Sequence, residues 1–480
     1  MREWTMRKYK GFYFKTKPWA HQLAALKYLI ERDYAGLYTD CGSGKSKIML
    51  DLIYNRNFKC ILIVCTNKAC QNKVWETQVR LHADTASTVV LNLSGKDTHK
   101  KLHLLREKLS TVVTGQKRVI VVCNYEGVWR EPLASYLIRN AKRFDCIVCD
   151  ESHRIKTPSS KVTRFLVRMG ARVKCKYLVT GTPSSESPMD VFSQYKFLNP
   201  EIFGTNFSKF KEKYQNLDPY ATARLGFPVL NKKQPYKNLD DLKEKMFSCA
   251  FKMDSVVQLP ETQIVDYPFY LDNKTDELYY QLSTEGAIIY GDEFLTTENV
   301  LSSIIRKQQL TSGYLHLEND DGETHLERVS VQRRNILVQL LEDIPENEPV
   351  VVFAKFKKDL YSIRKVAERM GKSYSELSGR EDTLQEWMKG KTQVIGVQIT
   401  SGAESIDLTR ARYCIYYSLT HSLASYEQSL KRCHRPGQTR PVTYMRIIAR
   451  SNRVKTTIDE DIVYCLDRKK SVVEYLMKKD

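Results

Sequence analysis

Residues 37–47 read LYTDCGSGKSK, and their types and order suit phosphate chemistry. The two glycines of Gly42-Ser43-Gly44-Lys45-Ser46 let backbone N–H groups turn inward around phosphate oxygens. Lys45 would neutralise the β- and γ-phosphates of a bound ATP, and the Ser46 hydroxyl would ligate Mg2+. Thr39 stands where the strict G-x-x-x-x-G-K-[ST] pattern has its first glycine. A second stretch, FDCIVCDESHRIKTP at 144–158, carries two competing chemistries. Cys146 and Cys149 form a C-x-x-C pair that could be redox-active or hold a metal. Asp150 and Glu151 end an apolar run, and the carboxyl end of a strand is where an open α/β sheet places ligand-binding groups. There Asp150 would hold magnesium, often through water, Glu151 would polarise the attacking water, and His153 would report nucleotide state. A zinc site wants a second pair of cysteines or histidines at suitable spacing, and none is present. The cysteines therefore read as small core hydrophobes and the carboxylates as the chemistry.

A third stretch, QSLKRCHRPGQ at 428–438, places Arg432 and Arg435 three positions apart, on one face of a helix. Phosphoryl transfer spreads negative charge over the γ-oxygens, and guanidinium forks match it. If these arginines reach across from the second half of the chain, hydrolysis is expected only when the two halves close. Cys433 and His434, side by side, do not make a metal pair.

Parallel strands alternating with helices are the elements that would position such groups. Candidate strands are 60–65, 118–123, 144–149 and 176–180, with helices at 20–32, 45–54 and 160–169. A second series runs 349–354, 393–398, 412–417 and 442–448. Between the two, polar helices are expected over 273–312, and Asn319-Asp320-Asp321-Gly322 reads as a turn or hinge. The fold class is α/β. Lobe 1 is expected over 1–265 with a helical insertion near 200–260, and lobe 2 over 266–480 with a helical insertion near 270–330.

Composition narrows the partners. The chain has 76 Lys and Arg against 56 Asp and Glu, a net charge of +20, which favours a polyanion such as nucleic acid over a merely solvated surface. With 42% hydrophobic residues it can bury sizeable cores. No apolar window is long enough to span a membrane and the basic N-terminus has no secretory core, so a cytoplasmic site is expected, the host cytoplasm if the chain is viral. The 12 cysteines, several inside apolar runs, suit a reducing compartment.

Together these motifs resemble superfamily 2 helicases and translocases. The continuation Arg154-Ile155-Lys156 resembles the Swi/Snf-like branch. Pro18 to Gln22 (PWAHQ) is similar to the segment whose Gln reads adenine. Asn124-Tyr125-Glu126 resembles a DNA-contact motif, and Val179 to Pro183 (VTGTP) a motif coupling ATP to DNA. Phe192 to Phe203 is similar to the family's sequence just beyond. Val351 to Phe356 (VVFAKF), Thr400 to Leu408 (TSGAESIDL) and the 428–438 stretch resemble motifs of the second lobe. The resemblance implies two tandem RecA-like lobes that ATP closes and hydrolysis reopens. It implies ATP binding by Gln22, Gly42, Ser43, Gly44, Lys45, Ser46 and Asp407, with Mg2+ on Ser46 and Asp150. Catalysis would fall to Lys45, Asp150, Glu151, Arg432 and Arg435. Nucleic-acid grip, mainly on phosphates, would fall to Thr66, Lys68, Asn124, Thr400 and Ser401, although ordinary loop capping explains any one of them nearly as well. The implied function is an ATP-dependent DNA helicase or translocase of compact viral or bacterial type. It would act on duplex or branched DNA in replication, recombination or repair, with proteins of those processes as partners. The alternatives are a duplex translocase that remodels protein–DNA complexes without strand separation, an RNA helicase, and a DNA-binding adaptor with a dead ATPase.

Overall fold

The computed structural model describes residues 7–40, 42–113, 117–253, 259–290, 293–296, 300–318, 324–399 and 406–477. The chain forms two compact units, 1–258 with 471–480, and 259–470.

Unit 1 is built on a seven-stranded sheet. Its order is Thr88–Asn92, Arg118–Asn124, Cys60–Cys65, Cys146–Asp150, Cys175–Thr180, Tyr34–Thr39 and Ala250–Met253, every neighbouring pair parallel. The central strands are β-branched runs buried on both faces, as a parallel sheet covered by helices requires. Alternate residues feed two separate cores: Leu62, Val121 and Cys149 lie in one, Ile63, Val122 and Cys146 in the other. An N-terminal hairpin, Arg7–Tyr9 with Phe12–Phe14, is tied to the helix Lys45–Asn55 by Asn55, which accepts from the Tyr13 amide at 2.8 Å and donates to the Tyr13 carbonyl at 2.9 Å. The long helix Ile458–Met477 ends in this unit, with Leu476 fully buried in its core.

Unit 2 carries a six-stranded parallel sheet ordered Thr262–Tyr270, Val442–Arg450, Tyr413–Tyr416, Val350–Ala354, Val394–Gln398 and Tyr374–Leu377. Its first strand pairs with Val442–Arg450 from Thr262 onward, so the unit begins before the expected boundary at 265/266. The stretch near 270–330 is not purely helical. Between and after the helices Asn273–Thr284 and Val300–Thr311 runs a four-stranded antiparallel sheet: Ala287–Tyr290, Glu293–Thr296, Tyr314–Glu318 and Thr324–Arg328. Short strands such as THLER, with a solvated face, have no apolar run to announce them. Near 200–260 the helices Phe207–Tyr214, Pro219–Leu225 and Leu239–Phe247 are present, followed by the sheet strand Ala250–Met253. The turn expected at 319–322 lies outside the described residues.

Candidate nucleotide-binding site

Sheet order gathers the unit 1 motifs at one edge. The strand Tyr34–Thr39, which feeds the glycine loop, lies beside Cys175–Thr180, with Tyr38 opposite Thr180. The strand carrying Asp150 lies on the other side, with Asp150 opposite Val179. All run parallel, so Thr39, Asp150 and Thr180 end together at the carboxyl edge.

The loop itself is shaped for an anion. Gly42 and Gly44 both adopt left-handed backbone, φ 83° and 81°, where a side chain would be strained. A Cβ on Gly44 would also sit 2.3 Å from Gln22 Nε2. Gly44 caps the helix Lys45–Asn55 with no side-chain hydrogen bond and no acidic residue in the first turn, so the positive helix end faces the loop unneutralised. Gln22 Nε2 donates to the Ser43 carbonyl at 3.1 Å, and His21 Nε2 lies 2.8 Å from the same oxygen. Thr39, at the position of the missing glycine, closes the loop through a 2.8 Å contact between its hydroxyl and that of Ser43. Lys45 donates to the Thr39 and Asp40 carbonyls at 2.9 and 3.1 Å. Ser46 stands in the first turn of the helix, half-buried. Gly181 approaches from the neighbouring strand, its Cβ position 3.3 Å from the Thr39 carbonyl and 3.9 Å from Lys45 Nζ.

Asp150 keeps part of its surface open at the strand end, yet protein surrounds its carboxyl. Burial first, then the neighbouring Glu151 carboxylate, push its pKa up to about 7, against the opposing pull of the Lys45 ammonium and the Trp75 N–H. Trp75 Nε1 donates to Asp150 Oδ2 at 3.2 Å, and the Tyr125 hydroxyl donates to the Asp150 carbonyl at 2.8 Å. Glu151 sits at φ 55°, ψ 54°, a left-handed conformation that costs about 1 kcal/mol or more outside glycine and is common where chemistry needs an aimed side chain. Its Oε2 receives the Thr180 hydroxyl at 3.4 Å and lies 3.5 Å from His153 Nδ1, which is itself 3.2 Å from that hydroxyl. His153 thus meets both the carboxylate and the next strand. The Ser46 hydroxyl and Asp150 carboxylate are the hard oxygen donors magnesium prefers, and one or two protein oxygens suffice where phosphates supply the rest. Bound there, the ion would neutralise phosphate charge.

Cys146 and Cys149 are fully buried in opposite cores, because positions three apart on a strand face opposite sides. Burial pushes both thiols well above the ordinary range. They cannot share a metal, and no group of three or more metal-ligating side chains occurs among the described residues.

In unit 2, Arg432 lies in the last turn of the helix Leu423–Cys433 and is 8% exposed, whereas Arg435 falls beyond the helix end, so the two do not share the expected helix face. Its carbonyl accepts from the Leu408 amide at 3.0 Å, and Arg435 Nη1 donates to the Ile406 carbonyl at 3.0 Å, so the segments around 407 and 432–435 are one local assembly. Gln438 secures it, Nε2 donating to the Thr409 and Ala411 carbonyls at 3.0 Å each. Asp407 is exposed and accepts from the Thr409 amide at 2.9 Å and hydroxyl at 2.7 Å, a turn of its own. His434 binds the Pro260 carbonyl through Nε2 at 2.7 Å.

The expected nucleic-acid contacts are differently placed. Thr66 is 2% exposed, and its hydroxyl caps the helix Asn67–Gln71 by accepting from the Ala69 amide, so capping accounts for it. Lys68 lies on that short helix. Asn124 donates to Asn67 Oδ1 at 3.3 Å and Glu126 Oε2 at 3.2 Å, while Arg154 donates to the other Glu126 oxygen at 2.8 Å. Thr400 and Ser401 lie outside the described residues.

Sequence reasoning missed three supports. Trp75 and Tyr125 hold Asp150 from distant chain segments. Gln194 is fully buried, accepts from the Ser152 hydroxyl at 2.8 Å and donates to the Pro183 carbonyl at 2.6 Å, tying the 150–153 segment to the 179–183 segment. Only its place in the 192–203 resemblance hinted at it.

No helix among the described residues is long and apolar enough to cross a membrane. The SNF2-related domain matches residues 21–319 and the helicase conserved C-terminal domain residues 332–437. An uncharacterised ATP-dependent helicase, MG018, of Mycoplasma genitalium is 26% identical over 349 residues, 71% of this chain and 31% of that protein. The DNA repair and recombination protein RDH54 of Saccharomyces cerevisiae is 23% identical over 418 residues, 81% of this chain and 42% of that protein. The chain therefore spans well under two thirds of the curated relatives it matches. Among solved structures, the Sulfolobus solfataricus SWI2/SNF2 ATPase core in complex with dsDNA covers 96% of this chain, and this chain 93% of it, at 18% identity and a TM-score of 0.40. On the strength of the domain match, the chain belongs to the SNF2-related family, and its two parallel-sheet units are RecA-like lobes.

Proposed function

We propose that the chain is an ATP-dependent DNA translocase or helicase acting on duplex or branched DNA in replication, recombination or repair. The observation that carries this reading is the gathering of Lys45, Asp150 and Glu151 at one sheet edge, beside an unneutralised helix end shaped by Gly42 and Gly44. In this reading the loop amides and Lys45 hold the triphosphate, Gln22 meets the base, and Ser46 and Asp150 hold magnesium. Glu151 orients the attacking water and takes its proton. Arg432 and Arg435 stabilise charge developing on the γ-phosphoryl group, with Asp407 contributing to nucleotide binding. The bonds from Glu151 through Thr180 and His153 would carry nucleotide state to neighbouring strands. The net charge of +20 supports a nucleic-acid track, with Lys68, Asn124, Thr400 and Ser401 as its phosphate contacts.

The test is the steady-state ATPase rate with single-stranded DNA, duplex, fork, four-way junction and RNA, with strand release followed in parallel. Strongest stimulation by fork or junction with release gives a branch-processing helicase. Stimulation by plain duplex without release gives a translocase that displaces other bound molecules. Preference for RNA, or no turnover with any nucleic acid, overturns the reading.

A further inference from the structure

Unit 1 holds a cavity lined by residues other than those of the glycine loop. The helices Leu133–Arg139 and Lys161–Gly170 flank a cavity of about 570 Å³, within the size range of small-ligand pockets. Its apolar part includes Trp129 and Phe165, and its cations are Arg139, Lys161, Arg164 and Arg168. Lys161, Arg164 and Arg168 follow at i, i+3 and i+7, one face of a helix. All four cations are exposed, and among the described residues none pairs with a carboxylate. Arg139 Nε donates to the Ser135 carbonyl at 3.3 Å, and Lys161 Nζ lies 5.2 Å over the Trp129 ring. The one lining carboxylate, Glu131, accepts from the Ser135 amide at 3.1 Å.

Four positive charges around one cavity against a single carboxylate, Glu131, raise the local potential, and an anionic ligand relieves that repulsion. Guanidinium forks match phosphate oxygens in pairs, and an aromatic floor accepts a planar ring. A concavity of this size admits one nucleotide rather than the convex side of a duplex. We infer that the cavity is a subsite for a nucleoside phosphate, one nucleotide of a single strand splayed away from its partner. This rests on the nucleic-acid reading above and deepens it by naming where a separated strand is held. Trp129 follows five positions after Asn124 on the same unit, so the cavity would extend a strand path beyond that residue.

The experiment measures binding of a 5′-fluorescein oligothymidylate and a duplex by anisotropy, without ATP, across a salt series. It compares the wild-type chain with Arg164→Gln/Arg168→Gln and, separately, with Trp129→Leu. The double variant is expected to lose about tenfold or more in affinity for oligothymidylate. Its log–log salt slope should fall by about 1.4, roughly 0.7 per lost phosphate contact. Trp129→Leu should weaken oligothymidylate with the slope unchanged. Duplex affinity and basal ATPase should stay near wild type in both. Competition by thymidine 5′-monophosphate reads whether a free nucleotide also enters, and loss of that competition in the double variant supports the same site. Wild-type affinity and slope in both variants overturn the inference while leaving the proposed function standing. Equal losses for a poly-glutamate peptide, without competition by the monophosphate, also overturn it in favour of an acidic-peptide site. A wild-type chain that binds neither DNA removes the proposed function, and the inference falls with it.

Discussion

Two aspartates, one in each unit, show how differently the fold treats the same side chain. Asp459 of unit 2 is 3% exposed and fully engaged. Arg333 Nη2 pairs with its Oδ2, the Ala449 amide donates to it at 3.0 Å, and the Thr311 hydroxyl donates to Oδ1 at 3.2 Å. Arg333 in turn donates to the Thr311 and Ile447 carbonyls at 3.0 and 3.2 Å and to the Tyr417 carbonyl. The pair pins two sheet strands, a helix of the insertion and the final helix together. Asp150 of unit 1 receives the Trp75 N–H on its carboxylate, stands beside Glu151, and is pushed up to about 7. The Asp459 carboxylate is surrounded by donors, whereas that of Asp150 is left short of them, as the proposed magnesium site would require. The expected costs of mutation differ accordingly.

The largest effect sought is catalytic. Glu151→Gln should cut ATP turnover by about 10³-fold or more, within the range for losing a general base, while ATP binding measured by equilibrium titration persists. Undiminished turnover would transfer the role elsewhere. Arg333→Ala should destabilise the protein by about 3 kcal/mol in denaturant unfolding, because it leaves Asp459 buried and uncompensated. A loss under 1 kcal/mol would place Asp459 with the functional carboxylates and break the contrast.

Asp150→Asn should do the reverse and stabilise the nucleotide-free chain at pH 8, by at most about 4 kcal/mol, the equivalent of the full rise in its pKa from 3.8 to about 7. The sign follows from the raised pKa: between about 4, the unfolded value, and about 7 the folded chain holds a proton that the unfolded chain has released. Wild-type stability therefore falls as pH rises through that window, and the gain from Asn should disappear near pH 4. Thermal midpoints of both chains at pH 4 and pH 8 read this directly, and an equal difference at both pH values would refute it. The smallest effect expected is for Cys146→Ala with Cys149→Ala, about 1–2 kcal/mol from two small voids, with ATPase near wild type and no metal lost. Each thiol lies in a different core, so the costs should add.

Local chemistry was legible where it depends on neighbours in the chain. The glycine loop needs two left-handed positions and a helix start, and both are written in residues 42–46. The strand 60–65 shows as an apolar run because a sheet covered on both faces favours apolar residues at successive positions. The hairpins between 287 and 328 do not show, because their exposed faces permit any polar residue. The pairing of Thr262–Tyr270 with Val442–Arg450 joins segments far apart in the chain, which no window of sequence registers.

The glycine loop, the carboxylates at the strand end, the basic charge and the alternating α/β order follow from residue type and short-range spacing, so they could be read from the chain alone. Only the tertiary structure decided which partners surround those groups. Trp75 reaches Asp150, Gln194 joins Ser152 to Pro183, and four cations converge on one cavity with Trp129. These depend on strand order and helix packing, which bring together side chains whose separation along the chain carries no signal of their contact.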